Sequence, residues 1–300
     1  MFNIKDRIWV QYIVLCFGLL CIGWSAIFVK LADVTGFASA FYRMGIGSIA
    51  IIPLWAGRKK SGLDFKAIRA AALCGLFFAC DIAMWNTSIL LTKAAIATLL
   101  ANLSPLWVGI GAIFIFHEKP KSIFWIGTFI AILGVILIIG IDKIEHARLS
   151  LGSILAISAS VFYAAYLLTT QRVRNSLDTV SFTAISMFAS TLVLFAICLI
   201  SGTQMTGYSA KSWLSLAGLG LISQLGGWLA INWALGYIKS TVASVSLLSQ
   251  TIVTAIVAIP VLGEMLTWIE LCGAIVVLSG IFLVNRRNFK KAAVVEPEYD

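Results

Sequence analysis

Ten apolar stretches of about twenty residues each follow one another along the chain, at 9–29, 37–56, 68–91, 94–116, 122–141, 150–170, 179–200, 212–236, 240–262 and 267–285. A hydrocarbon core of about 30 Å is crossed by roughly 20 helical residues. Inside lipid every backbone polar group needs an internal partner, which leaves helices or closed barrels. Barrel strands would alternate apolar and polar residues over about ten positions, and these runs do not. Links as short as 91–94 and 239–240 make consecutive helices antiparallel neighbours. The expected fold is an all-α membrane protein of ten transmembrane helices.

Only 12 % of the residues are charged and 60 % are hydrophobic, where a soluble domain carries about 25 % charge. The outer surface must therefore face a lipid bilayer, and no stretch is left for a soluble domain. The net charge of +9 does not point to nucleic acid, because Lys and Arg fall in short blocks between the apolar runs. They read instead as topology signals. With a cytoplasmic N-terminus and ten crossings, the cytoplasmic set is Lys5, Arg7, Arg58, Lys59, Lys60, Lys66, Arg69, Lys119, Lys121, Arg172, Arg174, Lys239, Arg286, Arg287, Lys290 and Lys291. The other side holds Lys30, Lys93, Lys143, Arg148 and Lys211, and Arg43 falls within a span. Sixteen against five is a strong inside bias, and it puts both termini in the cytoplasm of a cell whose inner membrane holds the chain. The six cysteines lie in apolar runs without a CxxC pair, and there are two His, so no metal site is expected. Met1–Arg7 is charged, as before a signal peptide, but the run that follows is too long and lacks a cleavage site. It is the first helix.

The chain repeats itself. An offset of 146 superimposes Asn86 on Asn232, Lys93 on Lys239, Glu118 on Glu264, Gly127 on Gly273 and Gly134 on Gly280 without gaps. Apolar coincidences are common in such a sequence; matching Asn, Lys, Glu and two glycines in one register is not. Residues 1–146 and 147–300 are thus expected to form two five-helix units. An odd number of spans per unit makes the second copy enter the membrane from the opposite side, giving inverted repeats.

These residues resemble the drug/metabolite transporter superfamily, in its ten-helix EamA-like branch. The resemblance spans nearly the whole chain. It is carried by Trp24, Phe28 and Lys30, by Phe41-Tyr42-Arg43, and by Glu118…Gly127…Gly134 with its copy Gly263-Glu264-Met265…Gly273…Gly280. His117 stands where the first copy usually has glycine. The resemblance implies transport of a small metabolite through a central cavity on the pseudo-twofold axis, open to either side in turn. Its members move amino acids, nucleosides, cofactors and other small metabolites, many of them outward.

Ionisable residues inside a span cost roughly 2.5–3.5 kcal/mol each on insertion scales, which singles out Asp81 and Arg43. At about 1.5 Å rise per residue they lie about 13 Å and 10 Å from the outer surface, close enough to meet. They form a structural pair, or one or both bind a charged substrate group or couple protons, or Arg43 snorkels outward. Asp81, Trp85, Ser88 and Thr92 share one helical face, and Trp24 and Phe28 share another. An aromatic, polar face around one carboxylate suits an amphipathic small molecule, a cationic one included. Further polar stripes include Thr98, Asn102 and Pro105; Ser246, Gln250 and Thr254; Thr183, Ser186 and Ser190; and Tyr163, Tyr166 and Thr170. The candidate substrate-binding set is Asp81, Trp85, Trp24, Phe28, Ser88, Asn102, Tyr163, Tyr166 and Gln250. Pro105 is expected to kink its helix, Asn86 and Asn232 to tie helices together, and Glu118 and Glu264 to cap the helices that follow them.

HExxH, GxSxG and GxxxxGK[ST] are absent, so neither hydrolysis nor ATP-driven transport has a motif on this chain. The expected function is a secondary active transporter, an exporter of a small metabolite such as an amino acid or derivative. It would work by alternating access with protons as coupling ion, with no cofactor, as a monomer or homodimer. A passive channel is the first alternative and an intramembrane enzyme the second.

Overall fold

A computed structural model describes residues 8–57, 64–91, 94–139, 150–262 and 267–294. Ten helices in it are long and apolar enough to cross a membrane: Ile8–Ala32, Gly36–Ala56, Phe65–Ser88, Leu99–Phe116, Ser122–Ile139, Leu151–Val173, Thr179–Ile200, Ala210–Ala234, Ser240–Val261 and Trp268–Arg286. They are called the first to tenth spans below. No strand occurs among the described residues. Four spans start on side-chain caps. Thr35, Ser150, Asp178 and Ser209 each accept a first-turn N–H, ahead of the second, sixth, seventh and eighth spans. Phe114, Leu192, Leu214 and Phe282 point outward and exposed, the surface of a body solvated by acyl chains. Lys5, Arg7, Arg58, Lys59, Lys60, Thr92, Lys93, Lys143, Arg148, Gly263, Glu264 and Met265 lie outside the described residues. So do the side chains of Thr98, Arg287, Lys290 and Lys291.

The packing obeys the inverted repeat. The third span packs on the sixth and seventh, the eighth on the first and second, the second on the seventh, and the fifth on the tenth. Exchanging the two units maps this set of neighbours onto itself. Lipid tails are as apolar as leucine, so helices associate through close contact at small residues. A Cβ built on Gly127 would stand 2.8 Å from the Gly280 carbonyl oxygen, and one on Gly134 2.7 Å from that of Gly273. The repeat register turns each of these contacts into the other. Asn86 Nδ2 donates to the Gly36 carbonyl across 2.7 Å, and Asn232 Nδ2 to Thr183 Oγ1 across 3.2 Å. Each asparagine thereby ties the third helix of its unit to the second.

Three spans are broken. The first breaks at Trp24, between Ile8–Gly23 and Ser25–Ala32. The fourth breaks between Ala94–Ala101 and Ser104–Phe116, the ninth between Ser240–Leu247 and Gln250–Leu262. The last two breaks coincide in the repeat, Asn102-Leu103 falling on Leu248-Ser249. Pro105 sits in the first turn after its break, where proline is tolerated, but its repeat partner is Thr251. The kink therefore belongs to the fold and not to proline alone. Glu118 also differs from expectation: its Oε2 lies 2.6 Å from Lys239 Nζ, across the two units, and does not cap the fifth span.

Candidate functional site: a central cavity open at one end

The breaks and glycine contacts leave a cavity of about 360 Å³ between the two units. Its wall takes Ser25 and Lys30 from the first span, Arg43 from the second, Phe78, Asp81 and Trp85 from the third, and Asn102 from the bend before the fourth resumes. Ile138 and Ile139 come from the fifth, Tyr163 from the sixth, Trp228 from the eighth, Gln250, Thr251 and Thr254 from the ninth, and Glu270 from the tenth. Lys30, Ile139 and Glu270 sit at helix ends on the face opposite the chain termini, so the cavity reaches toward that face. The other end is closed by aromatic rings. Phe78 stacks on Tyr166 at 4.6 Å between centroids and meets Trp228 edge-on at 4.6 Å, while Tyr166 and Trp228 lie 5.4 Å apart.

Arg43 is 8 % exposed, and its guanidinium is held from two sides. Nε donates to Gln224 Oε1 across 2.8 Å, and Nη1 to Ser25 Oγ across 3.0 Å. Ser25 is available because the first span breaks immediately before it. Asp81 lines the same cavity, but no Arg43 nitrogen comes within 4.0 Å of its carboxylate. No described residue donates a hydrogen bond to that carboxylate. Both charges line one cavity. The structure differs from direct pairing because neutral partners, Gln224 and Ser25, hold the guanidinium first. Nor does Arg43 snorkel outward.

Of the residues singled out by sequence, Asp81, Trp85, Asn102, Tyr163, Gln250 and Arg43 line the cavity. Trp24, Phe28, Ser88 and Tyr166 do not. Trp24 and Phe28 stack on each other at 5.7 Å, and Phe28 fills the space beside Gly218. The break at Trp24 is what turns Ser25, and not these rings, toward the cavity. Ser88 Oγ bonds back to the Trp85 carbonyl, as hydroxyls in helices do. Tyr166 is buried and donates to Asn232 Oδ1 across 2.8 Å, a back wall and not a lining. Sequence reasoning passed over Trp228, Ser25 and Gln224. The signal for Gln224 was present, as an uncharged amide midway along an apolar run. Asn102 Nδ2 and Trp228 Nε1 are buried donors without a partner among the described residues, a cost of about 1–3 kcal/mol each when left unmet.

The fold is a ten-helix bundle of inverted units around a one-sided cavity. A family model for EamA-like transporters matches residues 9–140 and, a second time, 150–286. The chain belongs to the EamA-like transporter family. It is 26 % identical to the "Uncharacterized transporter YdfC" of Bacillus subtilis (strain 168), over 91 % of each chain. It is 28 % identical to the "Uncharacterized transporter sll1319" of Synechocystis, over 75 % of this chain and 69 % of that one. A crystal structure with 15 % identity superimposes with a TM-score of 0.78, covering 93 % of this chain and 98 % of the other, which speaks to the fold. The protein is therefore a multi-pass membrane transporter for a small molecule.

Proposed function

We propose that the chain is a secondary active transporter that exports an amino acid or a close derivative across the cytoplasmic membrane by alternating access, with protons as coupling ion and both termini cytoplasmic. The observation that carries this reading is a pair of opposite charges not bonded to each other, Arg43 and Asp81, in a cavity closed at one end. A carboxylate suits Arg43, whose remaining guanidinium protons have no acceptor among the described residues, and an ammonium suits Asp81. Trp85, Tyr163 and Trp228 offer faces for the rest of the molecule, and the volume suits a small metabolite. Support for alternating access comes from the inverted repeat and from the aromatic closure at the blind end.

Counterflow in proteoliposomes tests the reading. Unlabelled L-amino acid trapped inside should drive transient accumulation of the labelled form, since a carrier shows trans-stimulation. A passive channel would equilibrate without overshoot, and that result would remove the carrier reading.

A further inference from the structure

Opposite charges in a medium of low permittivity attract strongly, so a separated Arg43 and Asp81 need a device that keeps them apart. We infer that Gln224 is the positioning residue that withholds Arg43 from an ion pair with Asp81, and that one extra residue in the eighth span puts it there. The inference rests on the reading of Arg43 as a substrate-binding group.

Gln224 is 1 % exposed, and its Oε1 accepts from Arg43 Nε. Its approach is set by a glycine contact one turn away on each helix. A Cβ on Gly47 would stand 3.2 Å from the Gly220 carbonyl oxygen and 3.1 Å from Gln224 Cγ. One on Gly220 would stand 2.6 Å from Ile46 Cβ and 3.4 Å from the Arg43 carbonyl oxygen. The other unit has the counterpart contact between the third and seventh spans. There Gly75 abuts the Ser186 carbonyl, and Ser190 Oγ donates to the Gly75 carbonyl across 2.7 Å. Gly75 thus corresponds to Gly220, as Asn86 corresponds to Asn232. Yet Gly220 precedes Asn232 by one residue more than Gly75 precedes Asn86. The surplus is absorbed where the eighth span widens into π turns, over Leu219–Trp228. Such turns are inserted residues that re-aim side chains and gather at functional sites. Gln224 lies in this segment. Counting from either landmark, the first unit puts Ala79 or Phe78 at its place, and Ser186 stands where the second span has Arg43. The polar device exists in one copy only.

The test combines unfolding and transport on the full-length protein. Thermal unfolding is measured for Gln224→Met, Asp81→Asn and the double variant. In the wild-type background Asp81→Asn should move the melting temperature little. In the Gln224→Met background, where Arg43 is free to pair with Asp81, the same change should lower it clearly, a non-additive cycle. The KM for an L-amino acid exchanged by the wild-type protein should rise about tenfold in Gln224→Met, as for loss of a hydrogen bond to a charged group, at unchanged maximal rate. Gln224→Glu supplies a carboxylate that itself pairs with Arg43 and should leave KM raised. An additive cycle with unchanged KM overturns the inference. Should Gln224→Met fail to fold, Gln224→Asn, which withdraws the acceptor from Arg43 Nε by one methylene, takes its place, and additivity with Asp81→Asn there overturns it equally. A wild-type protein that exchanges no L-amino acid defeats the substrate reading, while the unfolding cycle still decides the role of Gln224.

Discussion

Gly134 of the fifth span and Gly273 of the tenth meet backbone to backbone: a methyl on Gly134 would stand 2.7 Å from the Gly273 carbonyl oxygen and 2.5 Å from the Val277 nitrogen. Neither atom is the movable end of a side chain, so the helices would have to part. Gly134→Ala should therefore destabilise the protein by about 1–3 kcal/mol, although alanine is the better helix former. Gly45→Ala is the control, since its added methyl meets only Thr191 Cγ2 at 3.8 Å. Melting temperatures in detergent check both, with a fall expected for Gly134→Ala alone.

Asp81→Asn should leave folding intact and abolish counterflow. Removing one partner of a buried ion pair commonly costs about 3–5 kcal/mol, because the other charge is stranded. Arg43 already has Gln224 and Ser25, so that cost should not arise. Expression and melting temperature near wild type, together with lost exchange, are the expected outcome. Unchanged exchange would remove Asp81 from the site.

The cavity and the sequence pattern make different claims about tryptophans. Trp228 lines the cavity and Trp24 does not. Trp228→Phe, which removes the unpartnered indole N–H, should raise KM, whereas Trp24→Phe should leave it unchanged. Initial-rate measurements on the two variants decide between them.

Arg174 follows the sixth span and donates Nε to the Asn232 carbonyl across 3.1 Å and Nη1 to the Leu177 carbonyl. Lysine cannot reproduce this fork. Arg174→Lys should cost about 1–3 kcal/mol, and Arg172→Lys, at an exposed neighbour, almost nothing. Chemical or thermal unfolding of the pair provides the measurement.

Sidedness is open to a direct check. Reporter fusions placed after Arg174 should read cytoplasmic and those after Lys211 external. The opposite result at both sites would invert the chain and with it the side toward which the cavity opens.

Hydrophobic run length determined the ten helices by itself, because the bilayer leaves a backbone few other ways to satisfy its polar groups. The repeat of Asn86, Glu118, Gly127 and Gly134 was equally legible, since small and polar residues in lipid are kept where helices touch, and touching is what the register records. The expense of intramembrane charge likewise made Asp81 and Arg43 visible. Tertiary structure decided which neighbours those groups have. Whether Arg43 meets Asp81 or Gln224 depends on a glycine contact between the second and eighth spans and on one surplus residue in a helix, neither of which changes hydropathy. Whether an aromatic ring faces the cavity depends on where a helix breaks, as at Trp24. Helical periodicity assumes an unbroken helix, and the cavity is built where three spans break and a fourth widens.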